Sequence, residues 1–283
     1  MQQLEQKQLL LRQWLHFLPD AVIEPIIGCA DPWRYRNKME YAFGSDSNGR
    51  LLLGLRQRGS FQTVVDLDDC WLQSLPANQA RLRTRDFFRQ LGYAAYHPRS
   101  HQGLLRFLLV RESRTLNQIL VCLVLSDIEA LAADDLQAWA GQMRAIPEVA
   151  SVYCGQQPYK SDTAFTADLR LLWGQAALAE ELPLLSDSAA VGSLGSQHLH
   201  FTISPAAFFQ TNTLAMQRLL LEVKTLAALR GHETLLDLYC GAGVIGQYLA
   251  GQVRWVYGVE SVVPAIADAK LNAVRNGATN TTY

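Results

Sequence analysis

The stretch Glu233–Glu260, ETLLDLYCGAGVIGQYLAGQVRWVYGVE, constrains this chain more than any other. Thr234–Leu238 is a short apolar run between polar residues, the pattern of a buried parallel strand. Gly241, Gly243 and Gly246 follow with the spacing G-x-G-x-x-G and open a helical segment. Glycine is needed there because the backbone must turn tightly and approach a ligand with no Cβ in the way, while the helix N-terminus offers N–H groups. A second strand, Arg254–Val259, leads into Glu260, 19 residues after Gly241. An acid at that place can accept both hydroxyl hydrogens of an adenosine ribose. Glycine-rich turns also simply join strands to helices, so the spacing alone says little. Strand, glycines, helix, strand and acid in this order predict a nucleoside-cofactor site.

The 283 residues suffice for two domains with their own cores, and 49% hydrophobic with 18% charged residues describes a globular chain rather than a disordered one. A net charge of -1 conceals an asymmetry. Residues 1–114 hold 16 Lys and Arg against 11 Asp and Glu, whereas residues 115–283 hold 9 against 15. The front could therefore face a polyanion, or present an ordinary solvated surface. Cys29, Cys70, Cys122, Cys154 and Cys240 form no C-x-x-C pair, which predicts a reducing compartment, the cytoplasm, and no disulfide framework. The first fifteen residues lack the apolar core of a signal peptide and no apolar run approaches membrane-spanning length, so no membrane role is predicted.

Taken in order, Leu4–Phe17 has apolar residues at helical spacing, stopped by Pro19. In ADPWRYRNKMEYAF, Arg34, Arg36 and Lys38 alternate with Tyr35, Asn37 and Met39. On a strand this puts three cations on one face, suited to phosphates or simply to water. Strands at Leu51–Arg58 and Thr63–Leu67, a helix Pro76–Leu91 bearing Arg81, Arg83, Arg85 and Arg89, a hairpin around ESRTLN, a helix Asp134–Arg144 and strands near 150–154 and 169–172 predict an α+β front domain. Those four arginines could meet RNA or form a solvated helix face. Residues 174–196, rich in Ala, Leu, Ser and Gly, mark the predicted boundary between domains 1–196 and 197–283. Beyond it, SPAAFFQTNT leads into an amphipathic helix that Asn212 or Thr213 could cap. Gln210, on the turn before it, is placed to bond either a ligand or the backbone.

Three separate stretches, WRYRNKMEY, FTISPAAFFQTNT and LLDLYCGAGVIGQYLA with VYGVE, together resemble the RNA 5-methyluridine methyltransferases that use S-adenosylmethionine. The resemblance runs over nearly the whole chain. It implies an α/β protein: a largely antiparallel RNA-recognition domain, then an incomplete doubly wound, Rossmann-like methyltransferase domain. It implies that Gln210, Tyr239, Gly241 and Glu260 bind the cofactor and that the partner is RNA, rRNA ahead of tRNA, for which the alternating Arg34, Arg36 and Lys38 are the candidate contacts; the oligomeric state is open. In the family a cysteine thiolate adds to C6 of a flipped-out uracil, C5 takes the sulfonium methyl and a base removes the C5 proton. Those groups come from a D-P-P-R-type strand end, a downstream cysteine and a later glutamate, none of which occurs here. The expectation is an internal portion of a longer enzyme, without a catalytic residue and inactive by itself. Cys240 lies within the cofactor turn and reads as a packing residue. Many family members also hold an iron–sulfur cluster with four cysteines. Cys70 in DLDDCWLQ matches the fourth, and one thiolate cannot hold a cluster, so a cluster is expected only if upstream cysteines exist. Val244 stands where some members have a polar residue. Two other readings share these features: an RNA-binding module with a vestigial methyltransferase fold, and a nicotinamide-dependent oxidoreductase, which uses the same glycines and acid but gives FFQTNT no role.

Overall fold

The computed structural model describes residues 2–60, 62–160, 164, 168–184, 197–205 and 207–283. Two compact units result, Met1–Pro32 and Trp33–Tyr283. In the first, helix α1 (Gln2–Trp14) buries none of its residues. Gln8 ties it to the following segment, donating to the Glu24 carbonyl at 3.2 Å and accepting from the Ile26 N–H at 2.8 Å.

In the second unit, the front is a seven-stranded sheet built from β1 (Lys38–Ser45), β2 (Leu51–Arg56), β3 (Val64–Asp66), β4 (Leu105–Ser113), β5 (Gln118–Leu125), β6 (Val149–Gln156) and β7 (Asp168–Gly174), in the order β3-β2-β1-β4-β5-β6-β7. All pairings are antiparallel except β5 with β6, whose connection runs through helix α3 (Ala133–Arg144). Every residue of β4 is buried, which explains why LRFLLVRES shows no alternation. One face packs Tyr41, Phe43, Leu108 and Val121 against α3 and helix α2 (Leu75–Leu91), with Phe88 and Trp139 fully buried between them. The other face holds Phe107, Leu109, Leu120 and Tyr153.

Three of the four arginines of α2 turn inward and do not form a solvated helix face. Arg81 has no exposed surface and donates to the carbonyls of Leu53, Leu67 and Asp68 and to the Asn78 side chain, at 2.6–3.3 Å. Arg85 and Arg89 both reach Asp66 at 3.2 Å, and Arg89 also donates to the Leu51 carbonyl. A helix that reads as basic thus spends most of its charge on backbone oxygens and on two carboxylates, Asp66 of β3 and its own Asp86.

The run predicted as a strand from Arg34 begins only at Lys38, because Arg34 adopts φ 49°. Leu178–Pro183, read as part of the boundary region, forms strand β8 and pairs antiparallel with β9 (His198–Ile203). Buried Glu180 on β8 accepts from the Ser113 and Thr115 hydroxyls and the Arg114 and Thr115 amides, fastening the hairpin to the β4–β5 turn. The predicted domain boundary at 196 lies outside the described residues.

The remainder alternates helix and strand: α4 (Thr213–Ala227), β10 (Thr234–Leu238), α5 (Val244–Leu249), β11 (Trp255–Val259), α6 (Val263–Arg275) and β12 (Thr281–Thr282). The three strands form a parallel sheet in the order β10-β11-β12, the pattern of a doubly wound fold. Asn212 caps α4, accepting from the Ala215 N–H at 3.0 Å.

Replacing Arg81 with Met should lower unfolding free energy by about 3 kcal/mol, since several buried carbonyls lose their donor. Arg83→Met, which gives up one exposed bond to the Gln142 carbonyl, should stay within about 0.5 kcal/mol. Urea unfolding followed by fluorescence measures both, and equal effects would contradict the buried role of Arg81.

Candidate cofactor site

A cleft opens where the C-terminal end of β10 meets α4 and the start of α5. Phe208, Phe209, Gln210, Met216 and Leu220 line one side, and Asp237 through Ala242 with Val244 and Ile245 line the other. Gln210, Tyr239 and Gly241 therefore come together in one cleft, with Gln210 exposed and Tyr239 88% exposed at φ 60°. Gly241 has φ 55°, and a Cβ there would meet only the Phe208 carbonyl at 3.9 Å, so the turn presents open backbone to the cleft. At Gly246 the reason for glycine is contact: a Cβ would lie 2.8 Å from Val256 Cγ1 and 3.3 Å from Asp237 Oδ2.

Glu260 follows β11 and is tied to the same turn. The Gly241 N–H donates to Glu260 Oε2 at 3.2 Å, while the amides of Ser261 and Val262 donate to Oε1 at 2.7 and 2.9 Å. Hydrogen bonds from Val262, Ser261 and Gly241 hold this carboxyl below its ordinary range, so it is an anion with acceptor capacity left on Oε2. The other two glycines also have their N–H groups occupied: Gly243 donates to the Cys240 carbonyl at 2.9 Å and Gly246 to Asp237 Oδ2 at 3.0 Å. The N–H groups of the three motif glycines are thus already bonded, two of them to carboxylates, of which Asp237 lines the cleft and Glu260 is joined to it through Gly241.

Asp237 went unnoticed in the sequence, although an acid inside an otherwise apolar strand is itself a signal. It is 8% exposed, and burial raises its carboxyl above the ordinary 3.8, partly offset by the Gly246 N–H. Cys240 is 8% exposed, with burial and the neighbouring Asp237 and Glu260 charges pushing its thiol up to about 11. Such a thiol is protonated at neutral pH and unsuited to nucleophilic attack.

Arg34, Arg36 and Lys38 do not share one strand face. Arg34 makes a two-pronged contact with Asp69 at 2.6 and 3.2 Å, donates to the Gln73 carbonyl and lies over the Trp71 ring. Lys38 pairs with Glu40 at 2.7 Å, and Arg36 donates from Nε to the Lys38 carbonyl. The backbone of Arg36 bridges to Asn212, placing this segment beside the loop that carries Gln210. Cys70 is buried, with its backbone amide and carbonyl both bonded to Asn78. Among the described residues no three His, Cys, Asp or Glu side chains gather to hold a metal, so the residues present do not make an iron–sulfur cradle. No helix among them is long and apolar enough to cross a membrane.

No protein-family model matches the chain. An uncharacterized RNA methyltransferase of Halalkalibacterium halodurans is 31% identical over 263 residues, which is 93% of this chain and 54% of the relative. Another, from Caldanaerobacter subterraneus subsp. tengcongensis, is 33% identical over 249 residues, 88% of this chain and 52% of the relative. The chain belongs to the RNA methyltransferase family. It spans about half the length of these curated relatives. The Pyrococcus abyssi tRNA (uracil-54, C5)-methyltransferase in complex with S-adenosyl-L-homocysteine matches the fold with a TM-score of 0.74, covering 99% of this chain and 61% of that chain at 22% identity. The front sheet followed by a Rossmann-like unit is therefore the architecture of an RNA methyltransferase.

Asp237 gives a pH test of the turn. A carboxyl raised in the folded state brings no penalty below its unfolded value of 3.8; the penalty builds as pH rises from there to the folded value and is constant above it. Asp237→Asn keeps an acceptor for the Gly246 N–H and removes the ionisation. Between about pH 4 and about pH 7 the wild type should lose stability relative to this variant in urea titrations. Parallel pH profiles would show that Asp237 ionises without cost.

Proposed function

We propose that the protein transfers a methyl group from S-adenosylmethionine to C5 of a uridine in RNA, with rRNA the expected substrate ahead of tRNA, in the cytoplasm. The observation that carries the cofactor reading is the character of the glycine turn. Its three motif N–H groups are occupied, two of them by the carboxylates of Asp237, which lines the cleft, and Glu260, which is bonded to Gly241 of the lining. A dinucleotide would bring a pyrophosphate to such a turn and needs free N–H donors there, which speaks against the nicotinamide reading. A cationic nucleoside without phosphates suits the same charges. Bound there, S-adenosylmethionine supplies an electrophilic methyl on a sulfonium centre.

The chain's own residues would then hold the nucleoside and its amino acid tail. Glu260 accepts from the ribose hydroxyls through its remaining Oε2 capacity, Gly241 admits the ligand against bare backbone, and Gln210 bonds the amino acid moiety from the opposite wall. Phe208, Phe209, Met216 and Leu220 exclude water from the same cleft. The thiolate and the base that the chemistry requires are assigned to no residue here, Cys240 being a protonated packing residue. Residues 1–283 alone are proposed to bind cofactor without turning over. The partner reading rests on the family and on the basic front of the sequence, with Arg36 and Lys38 beside the cofactor loop. The role of Arg34 in RNA contact is less direct, because its guanidinium is engaged by Asp69.

Calorimetry tests the cofactor reading. Glu260→Ala should weaken S-adenosylmethionine binding about 10- to 100-fold, the worth of one or two charge-assisted bonds. Because this carboxyl ionises below its ordinary 4.5, wild-type affinity should stay flat from about pH 8 to about pH 5. An unchanged affinity in the variant removes Glu260 from the site. Tight binding of a uridine-containing transcript with no affinity for S-adenosylmethionine would favour the vestigial RNA-binding module instead. Methyluridine formed by residues 1–283 in a labelled-methyl assay would overturn the proposed inactivity.

A further inference from the structure

We propose that Asn37 is a positioning residue for Gln210: its carboxamide fastens the cofactor-facing loop to the front sheet, an inference that rests on the cofactor reading above. The loop between β9 and α4 carries Phe208, Phe209 and Gln210 and belongs to no strand, so its backbone oxygens must find partners elsewhere. The front sheet supplies them. Asn37 Nδ2 donates to the Gln210 carbonyl at 2.8 Å and to Thr213 Oγ1 at 3.1 Å, and the Asn37 N–H donates to the Thr211 carbonyl at 2.8 Å. Arg111 on β4 donates to the Ala207 carbonyl.

Asn37 is itself anchored. It is 4% exposed, directly precedes β1, and accepts from the Glu112 N–H of β4 at 2.8 Å. One short side chain with two N–H donors therefore connects a rigid sheet to the two residues flanking the Thr211–Asn212 turn. The Gln210 carbonyl is turned toward Asn37 while the residue lines the cleft, so fixing the carbonyl fixes the side chain's point of origin. An aspartate at this position would set a carboxylate against the Gln210 carbonyl and the Thr213 hydroxyl acceptor. A residue that bonds a ligand contributes fully only when its own backbone is held to within a fraction of an ångström, and otherwise ordering it is charged against binding.

The test is a double-mutant cycle on S-adenosylmethionine affinity with Asn37→Ala, Gln210→Ala and the pair, using the full-length protein. Asn37→Ala should weaken binding about tenfold in the wild-type background, yet less than about twofold once Gln210 is alanine, because the two act as one unit. Affinity for a uridine-containing transcript should change by less than about twofold. Equal losses in both backgrounds would reduce Asn37 to a general structural role and overturn the proposal, as would an unchanged cofactor affinity. Should Asn37→Ala fail to fold, Asn37→Ser keeps the main-chain bond to Thr211, removes the carboxamide and carries the same cycle with the same outcomes. A wild type that does not bind S-adenosylmethionine overturns the cofactor reading and this inference with it. A wild type that binds, with Gln210→Ala impaired and both Asn37 variants normal, overturns this inference alone.

Discussion

The structure depends on satisfying the backbone of a loop that has no strand partner. The segment from Ser204 to Asn212 must pass close to the glycine turn, and a regular strand there would leave no cleft. Its oxygens are bonded by Asn37 and Arg111, both nearly buried. Burial lowers the Arg111 guanidinium to about 10, although Glu40 and Asp268 work the other way, and the side chain stays cationic at neutral pH. The consequence is that the front sheet holds in place the loop that lines the cleft.

A second fastening acts from the other side. Asp268 and Asn272 on α6 and Asn276 at its C-terminal cap recur at four-residue intervals and lie on one face. They accept from the N–H groups of Ser204, just past β9, and of Thr202 and His200 within it, alternate residues of the chain, at 3.1, 2.7 and 2.7 Å. Asn272 and Asn276 return the bond to the Thr202 and His200 carbonyls, so each carboxamide imitates a neighbouring strand. Asn272 also donates to the Ala242 carbonyl within the glycine turn. A helix thereby covers a strand edge that would otherwise invite pairing, and the same side chains register β9 against the turn.

Much of this was legible in the sequence, and the failures share a cause. Elements with strong periodicity, such as α2, α3 and the β4–β5 hairpin, fall where pattern places them, since burial of one face is written into a short window. The glycine turn and Glu260 were legible because their spacing is itself the constraint. Asn37 was not, because its side-chain partner at Gln210 is 173 residues away and no local pattern marks it. Arg81 misled for a related reason: charge predicts exposure until a sheet edge offers carbonyls to a buried guanidinium. Strand β8 was hidden in a composition that reads as a linker, and its register with β9 comes from a partner well downstream.

What separates one nucleoside cofactor from another lies in the turn's hydrogen bonding rather than its glycine count. The motif provides tight turning, bare backbone and close helix packing for any such ligand. Here Asp237 and Glu260 reach back and take the N–H groups that a phosphate would claim. The cleft is left with negative charge beside the N-terminus of α5, where a free N–H array would have made it positive. An ionised carboxylate so placed repels an anionic ligand and favours a cationic one; hydrogen bonds keep Glu260 in that form, whereas burial favours the neutral form of Asp237. Burial first, and then the same two acids, raise the Cys240 thiol to about 11.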